Sequence, residues 1–284
     1  MFVVAGATGH TGSVVASTLL ARGQKVRALV HDRAKPAAAA LAARGAEIAE
    51  VSIEDTERLA AALGGAAGAY VLLPPALQSD DLVARNRRLV DSWAAALTRA
   101  GVGHTVLLSS IAAHLPGETG PVVTVRDAEQ RLPGPLTAVR AAYFIDNIAG
   151  MVGLARDQGI LPALFDPTRR IAMVSPRDIG RVAAEALLAG PAGRRIIELA
   201  GPTDASPDDL SAALGRALGR EVRSVRVPDE AIVPTLTQAG MSANVAGLYR
   251  EMVHAIDAGR FGFEGVVPLT RGTVGVDEAV AGLL

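Results

Sequence analysis

The sequence predicts an α/β protein built on a doubly wound parallel sheet, with a smaller C-terminal substrate lobe. Two observations carry this prediction. Five short apolar segments, separated by four helical ones, fill about the first 110 residues. A glycine-rich loop also follows the first apolar segment directly. A chain that alternates in this way forms right-handed crossovers, which make the strands parallel and place helices on both faces of the sheet.

The elements of the first half follow from the apolar pattern and the glycines. The apolar segments predict strands over residues 2–5, 26–30, 46–51, 69–73 and 105–109. The segments between them predict helices over residues 13–23, 35–44, 54–63 and 79–100. Glycine closes or follows each of the first three helices, as is common after a helix C-terminus.

The second half is less regular. It predicts a sixth strand over residues 136–140, a helix over 176–188 and a further strand over 195–199. Ser206 and the residues after it predict a helix N-terminus, because serine caps, proline fits the first turn and carboxylates suit the positive helix end. We therefore expect a domain over residues 1–150 and a mostly separate smaller lobe over 151–284, with residues about 170–190 returning to the first domain.

Composition excludes several classes of function. The chain has 284 residues, with 28 Lys and Arg against 29 Asp and Glu, and no cysteine. Disulfides, thiolate metal sites and cysteine nucleophiles are therefore excluded, and a balanced charge argues against nucleic acid as a partner. The five histidines show no metal-ligand spacing, so we expect no metal site. We expect a cytoplasmic protein that has no membrane segment. Its partner is expected to be a small-molecule substrate, and a homodimer is a possible assembly.

The glycine-rich loop predicts where a cofactor binds. It comprises Gly6, Ala7, Thr8, Gly9, His10, Thr11 and Gly12. The first glycine permits a tight turn, the second lets the backbone approach a diphosphate, and the third lets helix and strand pack closely. The free N–H groups of the following helix then face the phosphates. Thr8 and Thr11 can add hydroxyl donors. The sequence thus predicts a dinucleotide-binding Rossmann domain over residues 1–150.

The residues after the second strand bear on which dinucleotide binds. A basic group there accommodates the 2′-phosphate of NADP(H), whereas an acidic group accepts from the ribose of NAD(H). The chain offers His31, Arg33 and Lys35 together with Asp32. We predict NADP(H) held by the three basic residues, and NAD(H) is not excluded.

The reacting end of the cofactor is expected beyond the carboxyl ends of the fourth and fifth strands, where open α/β sheets bind ligands. Leu73 and Pro74 follow the fourth strand, and Ser109 and Ser110 end the fifth. His114 follows closely enough to enter the same pocket. Ser110 and His114 are therefore candidate catalytic residues.

Several segments together resemble the NmrA-like family, an atypical branch of the short-chain dehydrogenase/reductase superfamily. They are the glycine-rich loop, residues 108–110, Glu129 within residues 126–129, and residues 137–147. Asp178-Ile179 and residues 199–202 resemble its later motifs.

The resemblance implies an NADP(H)-preferring protein with a substrate pocket between two lobes. It also implies that Tyr143 and Phe144 line the nicotinamide or substrate pocket, which makes Tyr143 a third catalytic candidate. Two departures from the family are His31, where arginine is usual, and Val125, where lysine or histidine is frequent.

The mechanism is constrained by the lysines. Short-chain dehydrogenases usually pair a tyrosine with a lysine four residues later, which lowers the pKa of the phenol. The only lysines here are Lys25 and Lys35, and none of Tyr70, Tyr143 and Tyr249 has lysine at that spacing. We therefore predict an NAD(P)H-dependent oxidoreductase that transfers hydride to a quinone-like or other electrophilic small molecule without this dyad. The alternative is a non-catalytic redox sensor that binds a dinucleotide and a protein partner.

Overall fold

The computed structural model describes residues 1–284 and contains twelve strands and eleven helices. The strands are β1 (Phe2–Val4), β2 (Val26–Val30), β3 (Glu47–Glu50), β4 (Gly68–Val71), β5 (Thr105–Ser110), β6 (Leu136–Ala141), β7 (Tyr143–Phe144), β8 (Ile160–Ala163), β9 (Met173–Val174), β10 (Arg194–Ala200), β11 (Arg223–Arg226) and β12 (Thr270–Arg271).

The helices connect and cover these strands. They are α1 (Gly12–Ala21), α2 (Pro36–Ala43), α3 (Thr56–Leu63), α4 (Leu82–Ala100), α5 (Val122–Arg131), α6 (Val152–Gln158), α7 (Pro176–Ala189), α8 (Pro207–Leu218), α9 (Asp229–Gln238), α10 (Ala243–Asp257) and α11 (Val276–Ala281). A 3₁₀ segment, Ile145–Met151, lies between β7 and α6. None of the helices combines the length and the apolar character that crossing a bilayer requires.

Eight strands form one parallel sheet in the order β12-β10-β6-β5-β4-β1-β2-β3. The predicted doubly wound α/β class is therefore confirmed. The chain winds outward from β1 in both directions, through β2 and β3 on one side and β4 and β5 on the other. The strand order thus reverses between β1 and β4, and this is where such sheets open a ligand crevice.

Both faces of the sheet are covered. On one face α1 and α7 bury an apolar cluster against the strands, and the two helices approach closely at Gly180. A Cβ atom on Gly180 would lie 2.5 Å from Cβ of Val14, so only glycine fits this contact. On the other face α3 and α4 pack around the fully buried Trp93. This two-sided burial explains why β1 and β4, near the middle of the sheet, are continuous runs of residues without charge.

Most residues of the largest buried cluster come from the C-terminal part of the chain, which we call the C-terminal lobe. The cluster has 27 residues and joins α6, α8, α9, α10 and β8, with Ile111, Ala112, Ala113 and Val122 from the first half of the chain. The predicted cap of α8 is confirmed, because Ser206 and Asp209 form a reciprocal capping box. Two elements beyond residue 190, β10 and β12, extend the central sheet, which the sequence did not indicate.

The connection between β4 and α4 is longer than predicted. The sequence places the start of this helix near Ser79, but Asp81 caps it, accepting a hydrogen bond from the Ala84 N–H, and α4 begins at Leu82. The preceding residues form a segment that reaches the C-terminal lobe. The Ser242 N–H donates to the carbonyl of Leu77 at 2.8 Å, and the Leu82 N–H donates to Asn244 Oδ1 at 3.0 Å.

Candidate coenzyme and substrate site

The glycine-rich loop turns directly from β1 into α1. Gly6 has φ +58°, a left-handed conformation that favours glycine. A Cβ atom on Gly12 would lie 2.3 Å from the carbonyl oxygen of Gly6 and 2.7 Å from that of Ala5. The start of α1 can therefore touch the end of β1 only because position 12 has no side chain. Gly9 is exposed, and its Cβ would meet only the Gly6 oxygen, at 3.3 Å.

The N-terminal end of α1 presents unused hydrogen-bond donors. The main-chain N–H groups of Thr8, His10, Thr11 and Gly12 donate no hydrogen bond within the protein. Helix N-termini with free N–H groups favour anions, because the donors and the helix dipole act together. A diphosphate fits this arrangement, since its oxygens can accept from several adjacent amides.

The Thr11 side chain attaches the glycine-rich loop to β4. Its hydroxyl is buried and accepts a hydrogen bond from the Tyr70 hydroxyl at 2.9 Å. Burial raises the pKa of the Tyr70 phenol, so it remains a donor. The structure thus directs the Thr11 hydroxyl, which we expected to face a phosphate, towards β4, whereas Thr8 stays partly exposed.

The end of β2 carries the basic residues considered for the 2′-phosphate. His31, Arg33 and Lys35 are all exposed on the connection to α2. Asp32 is partly buried, and its carboxylate accepts a hydrogen bond from the Ala34 N–H at 2.8 Å. Asp32 therefore shapes the turn, while three basic side chains lie at its surface.

Glu50 also lies at this turn, where no sequence motif placed it. Its carboxylate accepts a hydrogen bond from the Arg33 N–H at 3.2 Å. The Arg33 guanidinium lies along β3 and donates to the carbonyl of Ile48 at 3.4 Å. Glu50 ends a different strand, so no local signal in the sequence connects it with residue 33.

The carboxyl ends of β1 and β4 meet beside the loop. A Cβ atom on Gly6 would lie 2.9 Å from Cδ2 of Leu72, and Leu73 and Pro74 follow with part of their surface exposed. At the end of β5, Ser110 is also partly exposed. These residues border the predicted position of the reacting end.

Ser109 faces away from this crevice. Its buried hydroxyl donates to Oε1 of Glu129 at 2.5 Å and so joins β5 to α5. Glu129 also accepts two hydrogen bonds from the Arg140 guanidinium, at 2.9 and 2.8 Å, and Glu264 accepts a third at 2.5 Å. Burial favours a lower pKa for Arg140, but its bonds to Glu129 and Glu264 raise the pKa above its usual range. We therefore assign Ser109 a structural contact in place of the expected coenzyme contact.

His114 lies in a different groove from the glycine-rich loop. The groove has a volume of about 440 Å³ and runs between α5, β6 and β10, with Arg126, Gln130 and Ile196 among its lining residues. No residue of the loop lines it. The Nδ1 atom of His114 is buried and lacks a hydrogen-bond partner. Neither Ser110 nor Tyr143 is among the residues that line this groove.

Tyr143 and Phe144 form β7, which pairs with β9 at the border of the two lobes. Tyr143 packs edge-to-face on Phe165, with ring centroids 5.7 Å apart. Burial raises the pKa of Tyr143 to about 12, although a contact with Asn147 opposes the shift. Such a phenol holds its proton at neutral pH and serves as a hydrogen-bond donor.

One side-chain contact links this border to the glycine-rich loop. His10 Nδ1 lies 3.2 Å from Oδ2 of Asp146, in the 3₁₀ segment directly after β7. His10 is 73% exposed, whereas Asp146 is mostly covered. Burial raises the pKa of Asp146, and the neighbouring His10 opposes this shift. The contact brings Asp146 beside the glycine-rich loop, although 136 positions separate it from His10 in the sequence.

Comparison with known proteins finds relatives across most of the chain. It is 29% identical to an NAD(P)H azoreductase of Xenophilus azovorans over 257 residues, covering 89% of this chain and 86% of that protein. It is 31% identical to a (4-alkanoyl-5-oxo-2,5-dihydrofuran-3-yl)methyl phosphate reductase of Streptomyces griseus over 228 residues, covering 78% and 76% respectively.

A solved structure shares the fold. The NADPH-dependent quinone oxidoreductase of Escherichia coli, crystallised in complex with NADPH, superposes with a TM-score of 0.78 at 22% identity. The match covers 100% of this chain and 99% of that one. The sequence model of the NmrA-like family also matches residues 1–262. The chain therefore belongs to the NmrA-like family.

Proposed function

We propose that this protein is an NAD(P)H-dependent reductase that transfers hydride to a quinone-like or other electrophilic small molecule. The observation that carries the proposal is the N-terminal end of α1, where four unused N–H groups lie beside glycines that leave room for a diphosphate. The reductases among its relatives support the same function. NADP(H) is the preferred coenzyme in this proposal because three basic side chains are exposed at the end of β2.

The positions of the residues assign different roles to the two parts of the chain. Residues 1–150 would bind the coenzyme, and most of residues 151–284 would form the substrate lobe. Leu73, Pro74, Ser110 and Tyr143 would border the reacting end, where they align the two reactants and exclude water. A bound nicotinamide coenzyme supplies the hydride. Alignment of two reactants alone can lower a barrier by about 7–11 kcal/mol.

The site has no tyrosine–lysine pair to deliver a proton. Both lysines are exposed: Lys25 precedes the amino end of β2, and Lys35 follows its carboxyl end, where β1 separates β2 from β4. Burial also holds the pKa of Tyr143 at about 12. An acceptor that is already electron-poor suits such a site, because its reduced anion can take a proton from water.

Steady oxidation of NADPH in the presence of acceptors tests the function. We expect the absorbance of NADPH to fall continuously with at least one member of a panel of quinones, azo dyes and conjugated carbonyl compounds. Tight NADPH binding without turnover of any acceptor would contradict the reductase. That result, together with unequal affinities for NADPH and NADP⁺ and a captured protein partner, would support the non-catalytic redox sensor.

Replacing Arg33 by alanine tests the coenzyme preference. A hydrogen bond to a charged group contributes about 1.5–3 kcal/mol, so we expect the dissociation constant for NADPH to rise at least about tenfold. The affinity for NADH should hardly change, because NADH has no 2′-phosphate. Fluorescence titration measures both, with Arg22→Ala as the control, since Arg22 is also exposed but pairs with Glu185 on α7. Equal losses for NADPH and NADH would refute the assignment.

A further inference from the structure

The connection between β4 and α4 runs from the glycine-rich loop to the C-terminal lobe. It leaves β4 beside the loop, since a Cβ atom on Gly6 would lie 2.9 Å from Cδ2 of Leu72. Residues 75–81, which we call the strap, then reach the N-terminal end of α10 in the lobe. The strap therefore joins the lobe to the edge of the crevice, which opens where the strand order reverses between β1 and β4.

Three hydrogen bonds attach the strap and the start of α4 to α10. The Ser242 N–H donates to the carbonyl of Leu77 at 2.8 Å, and the Ser242 hydroxyl donates to the carbonyl of Ser79 at 2.5 Å. The third bond runs from the Leu82 N–H to Asn244 Oδ1 at 3.0 Å. On the lobe side, all three bonds belong to residues 242 and 244, so one short segment of the lobe holds the whole strap.

No apolar core supports these bonds. None of the strap residues is buried, and Leu77 is 40% exposed. A cavity of about 560 Å³ lies between the strap and the turn that joins α9 to α10, with Ala239 and Gly240 on the lobe side. Segments that are held by exposed hydrogen bonds and by little apolar contact open locally at a small cost in free energy. The strap can therefore leave α10 while the sheet and the lobe stay folded.

We infer that the strap is a gate for the nicotinamide coenzyme, which undocks from α10 to let the coenzyme enter or leave and docks again to close the crevice. This inference rests on the coenzyme site of the proposed function and is independent of the acceptor. The docking bonds are made to α10 and not to the coenzyme, so they hold the strap equally before and after binding. Docking should then slow coenzyme entry and release by the same factor and leave the dissociation constant unchanged.

An Asn244→Ala variant tests the gate. Asn244 is exposed and alanine favours a helix, so α10 should stay folded. The loss of one hydrogen bond should make undocking about twofold to tenfold more frequent. We therefore expect the association and dissociation rate constants of NADPH to rise together by that factor. Stopped-flow fluorescence measures association when protein is mixed with NADPH, and dissociation when the complex is mixed with excess NADP⁺.

Asn244→Asp is the matched control. Aspartate keeps an oxygen that can accept from the Leu82 N–H, and its charge suits the N-terminal end of α10, so both rate constants should match those of wild type. If both variants exchange NADPH faster by the same factor, the gate is overturned, because the acceptor oxygen is then irrelevant. A dissociation rate constant that rises alone in Asn244→Ala would also overturn it, since the strap would then hold the coenzyme by contact. Unchanged rate constants in Asn244→Ala would have the same meaning.

The outcomes separate the gate from the reductase. If the gate is overturned while wild type oxidises NADPH with an acceptor, the reductase stands. If both rate constants rise in Asn244→Ala but wild type oxidises NADPH with no acceptor, the gate stands and the reductase fails. If wild type does not bind NADPH, both proposals fail.

Discussion

A Gly12→Ala variant is expected to lose coenzyme binding and part of its stability. The added Cβ would lie 2.3 Å from the Gly6 oxygen and 2.7 Å from the Ala5 oxygen, and both are main-chain atoms that cannot rotate away. The loop must therefore move from the start of α1, which misaligns the N–H groups of residues 8–12. Forcing an extra methyl group into a packed contact costs about 1–3 kcal/mol.

The expected size of the binding loss follows from the same geometry. Two misaligned amides that each donate to a charged phosphate represent about 3–6 kcal/mol, so the dissociation constant for NADPH should rise at least about a hundredfold. Isothermal titration calorimetry measures this change, and thermal unfolding should show a melting temperature lowered by several degrees.

Two glycine controls separate loss of binding from loss of fold. Gly9 is exposed, and its Cβ would contact only the Gly6 oxygen, so Gly9→Ala should keep its melting temperature but weaken NADPH binding by blocking close approach. Gly153 lies in α6 with open space around it, and Gly153→Ala should leave binding unchanged. If Gly12→Ala and Gly9→Ala both bind NADPH like wild type, the diphosphate lies elsewhere.

Much of the fold was predictable because its signals are local. The second strand has the predicted bounds, Val26–Val30, since an apolar run between Gly23 and the polar residues after Val30 marks both ends. The glycine-rich loop was equally local, because all three glycines act within seven residues. By contrast, nothing in the apolar residues of Arg194–Ala200 says which strand they will pair with. Their place beside β6 depends on the packing of the whole chain.

The candidate site was predictable in position but not in side-chain direction. Successive residues of a strand face opposite sides of a sheet, so the register decides which of Ser109 and Ser110 turns towards α5. Thr11 was expected at the phosphates, yet its hydroxyl is taken by Tyr70, a residue 59 positions away. Glu50 and Asp146 were missed as neighbours of the coenzyme site for the same reason, since their contacts with Arg33 and His10 arise only in the folded chain.

Replacing Arg140 by methionine is expected to cause the largest loss of stability. The Arg140 side chain is 6% exposed and holds Glu129, which is also mostly buried, through two hydrogen bonds. Removing one partner of a buried ion pair leaves the other charge without compensation, which costs about 3–5 kcal/mol. Glu264 is more exposed and can turn to water, so the penalty arises mainly at Glu129.

Urea unfolding at neutral pH measures the loss in the free energy of unfolding caused by Arg140→Met. Two further variants show whether this loss comes from the unpaired charge of Glu129. Arg131 is on the same helix as Glu129 but pairs with Asp91 at the surface, so Arg131→Met should cost no more than about 1 kcal/mol. Adding Glu129→Leu to Arg140→Met should restore part of the stability, because no unpaired charge then remains buried. A loss for Arg140→Met no larger than that for Arg131→Met would show that this ion cluster does not hold α5 against β5 and β6. The position of Ser110 at the end of β5 would then have to depend on the apolar packing of the sheet alone.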